Sequence, residues 1–499
     1  MNKNGLLLGY DIGSSSIKAT LFDPEDGTAV VSTISPAVEM PIIAKKPGWA
    51  EQEPRIWWEH VVKATARIKA AGGNLKEVKA IGISYQMHGL VLVDKQLNVL
   101  RPSIIWCDSR AVTFGEKVFK KIGPEKCLSH MLNSPGNFTA SKLAWVRENE
   151  PGIYKQIHKI MLPGDFIAMK MTGAVTTTVS GLSEGILWDF SAQKPASIIL
   201  DAFGFPPDII PDTTGTFAVQ GRLTKAAAEE MGVPSGTPVA YRAGDQPNNA
   251  LSLNVLTPGE IAATAGTSGV IYGVGDTTNH DRQSRVNTFV HVNHSPAAPR
   301  YGTLLCINGT GILNSWMRQN VSGGLGYEQM NLMAERVPAG SDGLVVLPFG
   351  NGIERTLGNR NPGASFHGLS FTTHTKAHMF RAAQEGIVFA LNYGLQIMRD
   401  IGLRVTIVRA GNANMFLSPL FGSAFATVTG AVVQLYSTDG AQGAARGAGI
   451  GAGIYKGFDE AFSMLKTIRT IEPSKTDKDA YAKAYRKWTG VLSALMNDG

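Results

Sequence analysis

Two aspartates stand out for the company they keep. Asp11 closes the apolar run "LLLGYDI", and Gly13, Ser14, Ser15 and Lys18 follow it closely. Asp245 closes "PVAYRAGD" and opens the polar run "QPNNA". A carboxylate at the end of a buried strand, beside glycine and small hydroxyl residues, is placed for chemistry at a phosphate. Backbone N–H groups at such a turn lack a strand partner and can point at an anion, and glycine lets the anion approach. Asp11 would repel a phosphate unless a cation intervened, and Mg²⁺ held through water is its natural partner. A carboxylate near its reference pKa of ~3.9 is ionised at pH 7 and can accept the proton of an attacking hydroxyl, which suits Asp245. Taken singly, each aspartate is equally a residue capping its own turn.

The turn beside Asp11 has a counterpart. Residues 260–274, "EIAATAGTSGVIYGV", again run apolar, small, apolar, with Gly266, Thr267 and Ser268 at the tip. Two such tips could grip one polyphosphate. His88, in "SYQMHGLVLVD", ends a buried-type strand, where α/β proteins put ligand contacts. Asp108 and Arg110 in "IIWCDSRA" read as neighbours that pair. No G-x-x-x-x-G-K-[ST], G-x-G-x-x-G or H-E-x-x-H is present, which disfavours P-loop, dinucleotide-binding and zinc-protease readings. "GLSEG" at 181–185 matches the serine-hydrolase elbow, but "ILWDF" and a turn follow it instead of a helix.

These residues need elements to hold them. Residues 6–35 read as three strands joined by short turns, with "DPEDG" at 23–27 as a turn signal. "PRIWWEHVVKATARIKAA" at 54–71 has helical spacing, opened by Pro54 and closed by Gly72-Gly73. "VKAIGISY" at 78–85 is a buried parallel strand. The second half repeats the theme, with a long amphipathic helix at 376–401 and a close-packed helix in the Ala/Gly-rich "GAQGAARGAGIGAGIYKG". Each half opens with a strand–turn–strand hairpin and continues as alternating α/β.

Composition bounds the rest. The chain has 499 residues, 43% hydrophobic and 17% charged, an ordinary balance for two globular domains. A net charge of +7 with no long basic run argues against nucleic-acid binding. Cys107, Cys127 and Cys306 are scattered, which fits a reducing cytoplasm and no structural zinc. No run approaches the ~20 apolar residues of a membrane span, so no membrane partner is expected.

In order and spacing, the segments resemble the FGGY family of carbohydrate kinases. The markers are "YDIGSSSIKATLFD", "PGWAEQEPRIWWEH", "FTASKLAWVRENEP", "LPGDFIAMKMTG", "GDQPNNA", "AGTSGV", "LPFGNGIERT", "FHGLS", "RAAQEGIVFAL" and "GAARGAG". "QMHGLVLVDKQLNVLRPSIIWCDSR" is similar to the stretch that sets pentulose kinases apart. The resemblance implies two actin-like (ribonuclease H-like) ATPase domains facing across a catalytic cleft, residues 1–243 on the sugar side and 244–499 on the adenosine side. It implies ATP-dependent phosphorylation of a ketopentose, D-xylulose first. Another ketose, deoxy-sugar or polyol (ribulose, fuculose, rhamnulose, glycerol) and an inactive sugar-binding homologue stay open.

By the same resemblance Asp245 is the base, and Asp11 assists Mg²⁺ and the phosphates. Met87, His88, Gly89, Asp245 and Gln246 line the sugar site. Gly13, Ser14, Ser15 and Lys18 form the first phosphate turn, and Gly266, Thr267, Ser268 and Gly311 the second. Gly411, Asn412 and Asn414 approach the adenosine. The implied setting is cytoplasmic, with a homodimer left open. The chain departs from the family in "RAGNAN", where Arg409 and Ala410 replace glycines, in Gln246 after the base, in "TTTVSGLSEG", which lacks the usual acidic Ser-Asp pattern, and in Leu357 after "ERT".

Overall fold

A computed structural model describes residues 5–497. They form two compact units. The first holds the residues up to Asn254 together with Phe289–Tyr301 and Thr438–Leu465. The second holds Val255–Thr288, Gly302–Ser437 and the residues from Lys466 onward. This grouping differs from a single break at 243/244. The helix Asp245–Ser252 continues directly from the strand Pro238–Gly244 of the first sheet, and the helix Gly440–Gly451 packs on that same sheet.

The first unit is built on six strands in the order Phe217–Arg222, Pro238–Gly244, Val78–Tyr85, Leu6–Ile12, Ile17–Asp23, Thr28–Ser35. Leu6–Ile12 runs antiparallel to Ile17–Asp23 and parallel to Val78–Tyr85, so the expected hairpin and buried strand are both present. It carries no charge before Asp11 because both its faces are covered. Leu8, Tyr10 and Ile12 join a core with Trp57, Val61 and Ile68 of the helix Pro54–Ala70. The other face meets Gly440–Gly451 almost backbone to backbone. A Cβ on Gly9 would lie 1.9 Å from the Ala441 carbonyl, and one on Gly82 the same distance from that of Ala444. The Ala/Gly composition of that helix is what permits the approach.

The second unit repeats the plan. Gly269–Gly275, Glu260–Ala265, Ile407–Gly411, Val432–Tyr436 and Thr467–Ile471 stand side by side in that order. Glu260–Ala265 pairs antiparallel within its hairpin and parallel with Ile407–Gly411, as Leu6–Ile12 does in the first unit. The long helix Lys376–Asp400 carries Phe380, Ile387, Leu391, Leu395 and Met398 into the core. Among the described residues no helix is long and apolar enough to cross a membrane.

Candidate active site

In the first unit Asp11 stands one residue before the end of its strand, opposite Lys18 on one side and Ser84 on the other. The Ser84 hydroxyl donates to Asp11 Oδ1 at 2.8 Å. The turn beyond is fixed from both flanks. Gly13 N–H donates to the Ser16 carbonyl at 3.1 Å, Gln52 Nε2 to the Ser14 carbonyl at 2.7 Å, and Met40 N–H to the Ser15 carbonyl at 2.8 Å. Lys18 Nζ lies 2.6 Å from Asp439 Oδ2. Asp439 also caps Gly440–Gly451, accepting the Gln442 N–H at 2.9 Å. A Cβ on Gly440 would fall 2.4 Å from Asp11 Oδ2, so the helix start is pressed against the carboxylate. Burial lifts the Asp11 pKa, and Asp439 adds to this; the Ser84 bond and Lys18 oppose it.

Asp245 is the first residue of the helix Asp245–Ser252. The polar run after it is thus helix and not loop; Pro247 sits in the first turn, where its missing N–H costs nothing. The side chains of that helix tie down the neighbouring cap. Asn248 Nδ2 donates to the Gly440 carbonyl at 2.8 Å, and the Ser252 hydroxyl to the Asp439 carbonyl at 2.7 Å. Burial, with the nearby charge of Asp11, pushes Asp245 up to about 7, while the backbone and side chain of Gln246 hydrogen-bond to it and pull the other way. Gln246 therefore holds the acid it follows.

Met87, His88 and Gly89 follow the strand Val78–Tyr85. His88 sits at φ 62°, a left-handed conformation uncommon outside glycine. Its Nδ1 is 2.9 Å from the Glu184 carbonyl, which only accepts, so Nδ1 carries the proton. Its own carbonyl accepts Lys142 Nζ at 2.7 Å, and its ring packs edge-on to Phe138 at 4.8 Å. Burial pulls Lys142 down to about 7. A Cβ on Gly244 would meet Met87 Cγ at 2.7 Å and Glu184 Oε2 at 2.8 Å. Met87, Gly244, Glu184 and Asp245 thus form one neighbourhood, in which burial lifts Glu184 well above the carboxylate range.

In the second unit Ala265 pairs with Gly269, which leaves Gly266, Thr267 and Ser268 as the hairpin tip. Gly311 and Ile312 donate their N–H groups to the carbonyls of Gly266 and Thr267, at 2.8 and 3.1 Å. Beside the tip lies a cavity of about 580 Å³ lined by Gly266, Thr267, Gly311 and Asn414, with Ile312, Tyr327 and Leu417 as apolar wall. Ser268, Gly411 and Asn412 do not line it; Asn412 N–H is spent on the Tyr436 carbonyl at 2.9 Å. Arg409 stands on the strand Ile407–Gly411 and pairs with Glu260 at 2.9 Å, which accounts for an arginine where a glycine was expected.

Sequence reasoning missed Asp439, Glu184 and Lys142. Asp439 precedes an Ala/Gly helix and could have been found as its N-cap. Lys142 lay inside the quoted "TASK" segment with no role given to it. Glu184 sits in "GLSEG", at the end of the helix Val179–Glu184. That helix begins before Ser183, whose hydroxyl donates to the Ser180 carbonyl at 2.7 Å, so no nucleophile elbow forms. Asp108 and Arg110 pair as expected, at 2.6 Å.

Residues 6–252 match the N-terminal domain of the FGGY family of carbohydrate kinases, and residues 261–454 its C-terminal domain. The chain is 28% identical to a xylulose kinase of Bacillus subtilis (strain 168) over 418 residues, 81% of this chain and 80% of that one. It is 29% identical to a xylulose kinase of Escherichia coli (strain K12), over 81% and 82% of the two chains. Among solved structures, a xylulose kinase from Rhodospirillum rubrum superposes with TM-score 0.88 at 27% identity, over 98% of this chain and 99% of that one. Plasmodium falciparum glycerol kinase with ADP shares the fold, with TM-score 0.87 at 19% identity over 98% of both chains. With both halves of the family matched in order on one two-domain α/β chain, this protein belongs to the FGGY family of carbohydrate kinases.

Proposed function

We propose that this chain transfers the γ-phosphoryl group of ATP to the terminal hydroxyl of a ketopentose, D-xylulose, giving D-xylulose 5-phosphate and ADP. The observation that carries the chemistry is Asp245, its pKa held near neutrality beside Asp11, at the start of a helix that is tied to a second acid, Asp439. Asp245 takes the proton of the O5 hydroxyl as that oxygen bonds to phosphorus and the bond to ADP breaks. His88 and Met87 orient the sugar, and the neutral His88 ring, with its proton on Nδ1, has Nε2 as its acceptor nitrogen. Ser14 and Ser15, on the turn that the Gly13–Ser16 bond closes, and Gly266–Ser268 offer backbone N–H groups to the phosphates, and the cavity walled by Ile312, Tyr327 and Leu417 takes the adenosine.

Two carboxylates close enough for the charge of Asp11 to raise Asp245 fit a hard divalent cation, and Asp11 is the residue to hold Mg²⁺ through water. Bound there, Mg²⁺ would neutralise charge on the phosphates. The chain is assigned to the cytoplasm, in keeping with three cysteines that form no disulfide.

The choice of sugar rests on the xylulose kinases that the chain resembles. A coupled assay of ADP release over a panel of ketoses and polyols tests it. D-xylulose should exceed D-ribulose, its C3 epimer, by at least ~10-fold in kcat/KM, because a mismatched hydroxyl leaves buried groups unpaired. Equal rates on the two pentuloses, or a preference for glycerol or a hexulose, would defeat the xylulose assignment.

A further inference from the structure

Glu354 is fully buried in the second unit and forms no ion pair among the described residues. Its carboxylate is spent on backbone instead. The Asn308 N–H donates to Oε1 at 2.9 Å and lies 3.2 Å from Oε2, and the next N–H, that of Gly309, bonds to the same carboxylate. The segment carrying Glu354 is itself closed. Glu354 N–H donates to the Arg360 carbonyl at 2.8 Å, and its carbonyl accepts the N–H groups of Leu357 and Asn359 at 3.1 and 3.0 Å. Asn308 Nδ2 stitches the two segments together, donating to the Ile353 carbonyl at 2.7 Å.

The turn that Glu354 grips leads straight to the Gly266–Ser268 tip. Gly311 and Ile312, next in the chain, donate their N–H groups to Gly266 and Thr267. The passage has no slack. A Cβ on Gly309 would lie 1.5 Å from the Pro348 carbonyl, and one on Gly311 would lie 2.3 Å from that of Gly266. Backbone presses on backbone along the whole path, so the height of the tip is set where the turn is anchored. A carboxylate buried without a cation is costly, and two converging N–H donors are what make it tolerable.

We propose that Glu354 is a positioning residue for the nucleotide phosphates, acting through the 308–311 turn on the Gly266–Ser268 tip. The proposal rests on the reading that this tip binds ATP. Glu354→Gln keeps the shape but turns an NH₂ group toward amide donors. It should raise the KM for ATP by at least ~10-fold while leaving the KM for the sugar within ~2-fold, a split that general loosening of the fold would not produce. Asn308→Ala removes the stitch to Ile353 without disturbing the acid and should shift the ATP KM in the same direction by less.

Steady-state kinetics with each substrate varied, beside calorimetric ATP binding and thermal melts, read all of this. Wild-type ATP binding together with an unchanged ATP KM in a folded Glu354→Gln protein overturns the proposal alone. If Glu354→Gln does not fold, an unchanged ATP KM in Asn308→Ala overturns it instead. A wild-type protein that binds no ATP sinks the kinase reading, and this inference with it.

Discussion

As the proposed base, Asp245 would work only when ionised, and its surroundings make ionisation hard. Burial and the Asp11 charge both favour the protonated acid, so the base is lost as pH falls through about 7 and regained as pH rises. The kcat/KM for the sugar should climb with pH to a plateau above neutrality, since that parameter reports the base before sugar binds. A cation held beside Asp11 would counter the repulsion and bring the midpoint down from about 7. Asp11→Asn removes the neighbouring charge, and the residual activity should rise at lower pH than in the wild type. A profile with no fall anywhere between the ordinary carboxylate range of ~4 and pH 8 would remove Asp245 from the mechanism. Asp245→Asn should cut turnover by at least ~10²-fold with ATP affinity nearly unchanged, as measured by ADP release and calorimetry. His88 is locked by Glu184, Lys142 and Phe138. Accordingly, His88→Ala should raise the sugar KM and narrow the preference for xylulose over ribulose without touching ATP binding.

At the scale of elements, glycine does two different jobs. At Gly266 a Cβ would meet nothing in the protein closer than 3.6 Å. Gly266→Val should therefore fold normally and lose ATP binding only because the ligand can no longer approach; calorimetry showing normal binding would detach this tip from the nucleotide. At Gly9 the protein itself fills the space, with the Ala441 carbonyl 1.9 Å from the point a Cβ would occupy. Gly9→Ala should lower stability by ~1–3 kcal/mol or more, visible as a depressed melting temperature. Both hairpins, the Pro54–Ala70 helix and the long Lys376–Asp400 helix were legible in the sequence because periodicity and turn residues are local signals. The acid pair was legible too, each member sitting where an apolar run stops. What escaped was set at long range. Lys18 finds its partner Asp439 on a helix from the far end of the chain, and Glu354 meets a turn 46 residues upstream. The helical start at Asp245 was masked by residues that favour loops and N-terminal turns equally.

The molecule as a whole is threaded unevenly. The strands of the first unit come from its opening half, yet the helix that covers one face of their sheet is drawn from Gly440–Gly451. That face is lined by Leu7, Gly9 and Gly82, and without the helix it stands open. A fragment ending at Asn254 should melt broadly and bind hydrophobic dyes, whereas the same fragment with Thr438–Leu465 attached through a flexible linker should regain a sharp transition. Indistinguishable melts would show that the helix is dispensable to that core. The same threading bears on how the protein is born. Roughly 180 residues separate Asn254 from Thr438, which at ~5–20 residues per second means about 10–40 s of synthesis on the ribosome. Throughout that interval the amino-terminal sheet waits with one side uncovered, and its apolar surface stays exposed to association until Gly440–Gly451 emerges.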